Sequence, residues 1–221
     1  MHGTSGTCLL APAASRAHPE HWCSLNTLAK VRDAYIRRYR SRSRKEAAHF
    51  AAGSLRERIR KAANAISFGG SKHKHQWRIK GSTLSRFSNR LEKLLPSIRK
   101  ARSFPALLTL VELARIKGIG RLTVYDTTTR IGAGQKVKPD KVYLHAGTRV
   151  GAKRLNWDFR RDSLRRSELP RELARLSASE IEDMLCIYAD CFGSRAKNLD
   201  PKGCVSGPRG CGQGRARLRG C

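Results

Sequence analysis

The sequence predicts an all-α protein, with a compact domain of about six or seven helices between two irregular tails. In several segments, apolar residues recur at spacings of three and four, as expected for amphipathic helices. Helix-start signals precede these segments, such as Ser54 followed three residues later by Glu57. Only residues 136–144 carry a β-like pattern, and Pro139 interrupts it, so no strand is expected.

The first third of the chain is predicted to form an irregular tail and two basic helices. Residues 1–23 show no apolar periodicity, and Ser24 is the expected N-cap of the first helix. That helix runs into the basic residues 37–45, which suit either a solvated helix end or phosphate contacts. A capping box at Ser54 starts the second helix.

A polar loop and two more helices are predicted next. The loop, residues 71–81, contains two histidines, a tryptophan and several basic residues. Thr83 is the expected N-cap of the following helix, which Pro96 ends or kinks. Pro105 then opens an apolar helix that should be buried on most sides.

The charge of the chain indicates a polyanionic partner. Lysine and arginine number 46 against 17 acidic residues, for a formal net charge of +29 over 221 residues. Residues 30–102 contribute +18 of this charge and residues 103–191 only +5. Such an excess favours association with nucleic acid, or secondarily with an anionic membrane surface. No apolar run reaches the roughly 18 residues of a membrane-spanning helix.

A glycine-containing turn between two apolar helices is the clearest motif. Residues 116–121 read Ile-Lys-Gly-Ile-Gly-Arg. Gly118 and Gly120 permit a sharp turn and leave backbone amides uncovered at the positive end of the next helix, which suits a phosphate. Ile119 is expected to anchor the turn in the core. An ordinary helix–helix turn is the alternative interpretation.

The turn resembles a known DNA-binding element. Residues 107–131 resemble the helix-hairpin-helix motif, in which hairpin amides bind the DNA backbone without reading base sequence. The resemblance implies DNA contacts from the turn and from Lys117, Arg121 and Thr123 beside it. A broader part of the chain also resembles a family of uncharacterised bacterial proteins, which adds only that residues 24–192 form one unit.

A second resemblance concerns the helix-hairpin-helix DNA glycosylases, such as endonuclease III. Residues 142–155 are similar to the region that follows the hairpin in that family. However, the position of the family's catalytic lysine is Leu122 here, and the position of its essential aspartate is Tyr143. Leucine forms no Schiff base and tyrosine supplies no carboxylate. The resemblance therefore implies the scaffold rather than the chemistry, unless Asp126 or Asp140 substitutes.

The remaining segments are predicted as follows. A helix starting at Pro139 carries Arg149 and Lys153 as candidate DNA contacts, and His145 either packs or contacts DNA. Residues 157–170 connect it to a last helix capped by Ser177. The domain is divided into a basic part, residues 24–102, and a hairpin-containing part, residues 103–192. Residues 193–221 are predicted to be a disordered basic tail rich in glycine, arginine and cysteine.

Cysteine usage predicts a reducing, cytoplasmic location. The seven cysteines include no C-x-x-C pair, which argues against a zinc finger, and their odd number fits no clear disulfide framework. Residues 1–22 lack the basic start and apolar stretch of a signal peptide. A DNA-binding protein of this kind would be associated with the bacterial nucleoid.

These patterns together predict a non-catalytic, largely sequence-independent DNA-binding protein. Double-stranded DNA is the expected partner, with RNA as the alternative; no membrane partner, cofactor or metal ion is expected. Besides the hairpin, Arg149 and Lys153, the loop residues His75, Gln76 and Arg78 are predicted DNA contacts.

Two other functions stay open. A divergent glycosylase or nuclease would use His73, His75 and His145, since histidine serves as a general base or metal ligand near neutral pH. The His-x-His pair puts two imidazoles on the same side of an extended strand, where they can chelate a metal ion, but no carboxylate cluster accompanies it in the sequence. A structural protein with an acidic partner is the other alternative. Trp77 is expected to be a core anchor rather than a base-stacking side chain.

Overall fold

A computed structural model describes residues 27–192 and confirms the all-α prediction. This part of the chain contains nine α-helices and one small sheet. The helices are α1 (Leu28–Arg38), α2 (Arg40–Ala51), α3 (Leu55–Ala63), α4 (Gly81–Lys93), α5 (Leu95–Lys100), α6 (Phe104–Leu113), α7 (Arg121–Gln135), α8 (Ala146–Arg154) and α9 (Ala178–Ile187). None of these helices is both long enough and apolar enough to cross a bilayer. Both predicted tails and the predicted N-cap Ser24 lie outside the described residues.

The helix count exceeds the predicted six or seven because two predicted helices are divided. The basic helix breaks at Tyr39 into α1 and α2, and α1 is capped by the hydroxyl of Thr27. The helix after the loop breaks at Leu94, and Pro96 occupies the first turn of α5. Proline lacks an amide hydrogen, so it is tolerated in a first turn, where that hydrogen would have no acceptor.

The buried residues form two hydrophobic cores. The first core lies among α2 to α7 and includes Ile59, Phe87 and Ile131. The second core is formed by residues of α1, α8, α9 and the small sheet, and it includes Tyr35 and Leu185. The described residues therefore begin and end in the second core and form the first core between, and α7 runs from the hairpin through the first core.

The segment after α7 is a strand and not a helix, contrary to prediction. β1 (Lys141–Tyr143) pairs antiparallel with β2 (Ser163–Arg165), with Val142 opposite Leu164. Both of these apolar side chains are buried in the second core. The helix expected from Pro139 starts only at Ala146, because burial of alternate side chains on a sheet outweighs the helix-start signals of proline and aspartate.

Close packing of α8 against α9 requires a glycine. A Cβ atom added at Gly151 would collide with the backbone carbonyl of Leu185 on α9. At Gly81, the first residue of α4, an added Cβ has no neighbour within 4 Å. The two glycines therefore differ in packing although both lie in helices.

Gly151→Ala should lower the free energy of unfolding by about 1–3 kcal/mol, because the two backbones must separate. Gly81→Ala is the matched control and should be neutral or stabilising by up to about 1 kcal/mol. Urea denaturation followed by circular dichroism measures both. Equal effects of the two substitutions would contradict the packing described.

A buried carboxyl group links α9 to β1. Glu182 is 5% exposed and accepts a hydrogen bond of 2.6 Å from the amide of Tyr143. Burial raises the pKa of Glu182 well above its ordinary value of 4.5. The folded protein therefore keeps a proton that the unfolded chain releases, and stability falls as pH rises from 4.5 towards the folded-state pKa.

Glu182→Gln should remove this pH dependence, because glutamine keeps the acceptor oxygen without the ionisation. Above pH 4.5 the free energy of unfolding of this variant should increase relative to that of the wild type, by at most about 1.4 kcal/mol per pH unit. Urea denaturation across pH 4.5–8 tests this range. Glu168→Gln is the control, because the amide of Arg165 lowers the pKa of that exposed carboxyl. A constant difference between Glu182→Gln and wild type would contradict the prediction.

Candidate nucleic-acid interface

The hairpin turn has the conformation that its glycines predict. The amide of Ile119 donates to the carbonyl of Ile116 over 3.0 Å, and Gly118 between them has a φ of +93°. This is the geometry of a type II β-turn, which needs a positive φ at its third residue. Ile119 is 5% exposed and belongs to the first core, whereas Gly118 and Gly120 are exposed. The buried isoleucine thus fixes a turn whose glycines face solvent.

The amides around this turn are available to a ligand. Gly120 is the N-cap of α7 and supplies no side-chain cap. The amides of Gly118 and Gly120, and those of the first turn of α7, meet no acceptor within residues 27–192. Lys117 is exposed beside them, and Arg121 is 72% exposed, at 3.3 Å from the carboxylate of Asp162. A helix N-terminus with exposed amides and adjacent cations has the chemistry of an anion site.

The polar loop lies next to the hairpin. At one end, His75 and Gln76 bond to Asp126, which lies on α7 five residues after Arg121. At the other end, the methyl group of Thr83 lies 3.3 Å from where a Cβ of Gly118 would stand. Residues 71–80, called the histidine loop below, are therefore bonded to α7 through His75 and Gln76, and helix α4, which follows the loop and contains Thr83, begins beside the hairpin.

A buried polar network holds the histidine loop against α7. Gln76 is fully buried, donates to Asp126 over 2.7 Å and accepts from Arg130 over 3.1 Å. The Nδ1 atom of His75 lies 3.1 Å from the same Asp126 oxygen. Arg130 also donates to the carbonyl of Ala62 on α3. The side chain of Gln76, a predicted DNA contact, is thus buried and hydrogen-bonded within the protein, so it does not belong to the candidate interface.

The network sets the charges of its members. Burial opposes ionisation of Asp126, but the hydrogen bond from His75 and the charge of Arg130 outweigh it and lower the pKa of Asp126 to about 2. The hydrogen bond to Asp126 raises the pKa of His75. Burial, together with the charge of Arg130, lowers the pKa of His73 to about 4. The pKa values of two histidines separated by a single residue are thus shifted in opposite directions.

Two aromatic side chains protrude from this region. Trp77 is 62% exposed and Phe68 is 63% exposed, so the prediction of Trp77 as a core anchor is wrong. The guanidinium of Arg78 lies 5.2 Å from the centre of the Trp77 ring. The residue before Trp77, Gln76, is by contrast fully buried. Exposed aromatic rings beside cations are the groups on which nucleic-acid bases stack.

Other predicted contact residues serve the fold. Arg149 donates to the carbonyls of Leu144 and Phe159 and pairs with Asp162 at 2.9 Å, so its guanidinium is occupied. Thr123 is 5% exposed. Lys153 is exposed, and its ammonium lies 5.5 Å from the centre of the Phe159 ring. Of these three residues, Lys153 is exposed, Arg149 is half-buried with its guanidinium bonded inside the protein, and Thr123 is buried.

His145 and the two positions compared with glycosylases lie near the network. The His145 ring lies 4.5 Å from the ring of Tyr125, and its Nε2 atom is buried without a hydrogen-bond partner. Tyr143, at the aspartate position of the glycosylases, donates to Asp140 over 3.3 Å. Leu122 is half-buried in the first turn of α7. Asp140 thus bonds to Tyr143, whereas Asp126 contacts the histidine loop.

The basic stretches divide into paired and unpaired cations. Arg40 pairs with Glu180 at 2.6 Å, and Arg60 pairs with Glu92 at 2.7 Å. By contrast, three exposed cations in the middle of α2 have no hydrogen bond or ion pair within the described residues: Arg42, Arg44 and Lys45. Arg42 is close enough to the histidine loop to contribute to the lowered pKa of His73. Of these three cations, Arg42 therefore lies nearest in effect to the loop.

Asp126→Asn should lower the free energy of unfolding by roughly 3 kcal/mol, because buried Arg130 loses its counter-charge. Asp162→Asn is the matched control: Asp162 is 67% exposed, and its loss should cost less than about 1 kcal/mol. Urea denaturation at neutral pH compares the two. Similar losses in both variants would show that the network does not hold the histidine loop as described.

No family model, curated protein or solved structure matches this chain. The helix-hairpin-helix resemblance therefore stays a prediction based on the turn residues. A function for this chain must be inferred from the hairpin, the histidine loop and the cations around them.

Proposed function

We infer that this protein binds the phosphate backbone of nucleic acid without catalysis and largely without regard to base sequence. The observation that carries the proposal is the hairpin at Gly118 and Gly120, whose exposed amides have no acceptor within residues 27–192. An anion placed there would receive hydrogen bonds from backbone groups that need no rearrangement. Hydrogen bonds to a charged group are stronger than neutral ones.

The surroundings of the hairpin favour a polymer over a single small anion. Lys117 and Arg121 flank the turn, and Lys74 and Arg78 are exposed on the adjoining histidine loop. Exposed Arg42 on α2 adds a further cation on the side of His73. Several cations spaced over neighbouring elements suit a chain of phosphates, because each phosphate releases its counterions on binding.

The contact types account for the expected lack of sequence preference. Main-chain amides and lysine or arginine side chains recognise phosphate oxygens, which are the same at every base pair. Double-stranded DNA is proposed ahead of RNA on the strength of the helix-hairpin-helix resemblance. Exposed Trp77 and Phe68 add surface on which an unpaired base could stack.

Salt-titrated binding to a DNA duplex tests the proposal. If six to ten phosphates are contacted, wild-type affinity should fall by roughly 10³–10⁵ between 50 and 200 mM salt. Gly120→Val should weaken binding by about 10–100-fold at fixed salt, because its side chain covers the amides. Gly120 has a φ of −85° and no neighbour within 4 Å of an added Cβ, so valine fits the fold.

Gly69→Val is the matched control, because Gly69 is also exposed with open space around an added Cβ but lies outside the hairpin. Circular dichroism establishes that both variants fold. If Gly120→Val binds DNA as tightly as Gly69→Val, the hairpin is not the phosphate site. Binding that barely changes with salt would reject nucleic acid as the partner and favour a protein partner instead.

A further inference from the structure

Three potential metal ligands from distant parts of the sequence meet beside α7. His73 and His75 belong to the histidine loop and Asp126 to α7, yet one ligand atom of each lies within 4.8 Å of those of the other two. The two imidazole rings are 4.9 Å apart between centres and inclined at 74°. We propose that His73, His75 and Asp126 form a binding site for a divalent first-row transition-metal ion.

The donor set selects the class of ion. Two imidazole nitrogens and one carboxylate suit Zn²⁺, Co²⁺, Ni²⁺ or Fe²⁺, whereas Mg²⁺ and Ca²⁺ prefer oxygen ligands. Tetrahedral ligands at 2.0–2.1 Å from zinc are roughly 3.3 Å apart. The 3.1 Å between His75 Nδ1 and Asp126 Oδ2, which share a hydrogen bond, already has this spacing, so an ion bound between these two atoms would take the place of the shared proton. A rotation of the His73 side chain, which lies at the start of a short 3₁₀ turn, completes the set.

The surrounding contacts hold the ligands but leave coordinating atoms open. Gln76 fixes the Asp126 carboxylate through one oxygen, Oδ2, and the other oxygen has no hydrogen-bond partner within residues 27–192. His73 Nδ1 accepts a long bond of 3.4 Å from the His75 amide. The Nε2 atoms of both imidazoles have no partner in the same part of the chain. Metal-binding residues are typically oriented by such outer hydrogen bonds.

Arg130 is a buried cation close to the proposed ligands, which an incoming metal ion must tolerate. Its guanidinium lies 3.8 Å from Asp126 Oδ2 but is 8% exposed and bonded to Gln76 and to the Ala62 carbonyl. It therefore lies on the inner side of the carboxylate, whereas His75 is on the solvent side. Three protein ligands leave coordination positions for water or an anion, as in open zinc sites.

Metal titration of the full chain without nucleic acid tests this site independently of DNA binding. The cysteines are first alkylated so that thiolates do not bind the ion. Co²⁺ absorption in the visible range and calorimetry with Zn²⁺ should then report a saturable site that Mg²⁺ does not fill. His75→Ala and His73→Ala should each weaken it at least about 10–100-fold, the loss typical of even indirect perturbations of a metal site.

His49→Ala is the matched control, since it removes a half-buried imidazole that bonds only to the Ile66 carbonyl. It should bind Co²⁺ like the wild type. His75→Gln gives a second test if the alanine variant unfolds, because glutamine can still donate to Asp126. The proposal is overturned if the alkylated wild type shows no saturable site, or if loss of His73 and His75 changes affinity no more than loss of His49.

Discussion

The hydrogen bonds that Asp126 makes across 50 residues of sequence position the proposed interface. Asp126 accepts a hydrogen bond from Gln76 and is hydrogen-bonded to His75, both in the histidine loop. It also lies near Arg130, one turn further along the same helix. Because a buried carboxylate is stable only with such partners, the loop cannot leave α7 without exposing or orphaning charged groups. The helix that starts at the hairpin thereby also fixes the loop beside it.

The hairpin could be predicted from the sequence because its signal is local. Gly118 and Gly120, with an apolar residue between them, specify a turn whatever the rest of the chain does, and the structure places both glycines in solvent. The meeting of His75 with Asp126 has no such signal. It depends on how α3, α4 and α7 pack, and nothing in residues 71–81 marks their partner. The exposure of Trp77 also has no local signal in the sequence. Aromatic residues are usually buried, so residue type alone predicts the opposite.

The strand at residues 141–143 shows where local rules give the wrong element. Pro139 and the aspartate after it are good helix-start residues, and the segment is too short for its alternation to stand out. The strand forms because Val142 lies opposite Leu164 in the sheet and the Tyr143 amide donates a hydrogen bond to buried Glu182. Both partners are remote in sequence, so only the tertiary structure decides between strand and helix.

Net charge overstates the surface available to a polyanion, and pairing shows where the usable part lies. The acidic residues are placed so that Glu180, Glu92 and Asp162 neutralise arginines at helix contacts. Exposed cations without an ion pair within residues 27–192 include three on α2, two on the histidine loop and Lys117 at the hairpin, alongside others elsewhere such as Arg99. A basic composition alone would attract nucleic acid to any face. In the function proposed here, the cations beside the hairpin would draw a polyanion to the face where the hairpin amides are exposed, so that attraction and phosphate binding would belong to the same surface.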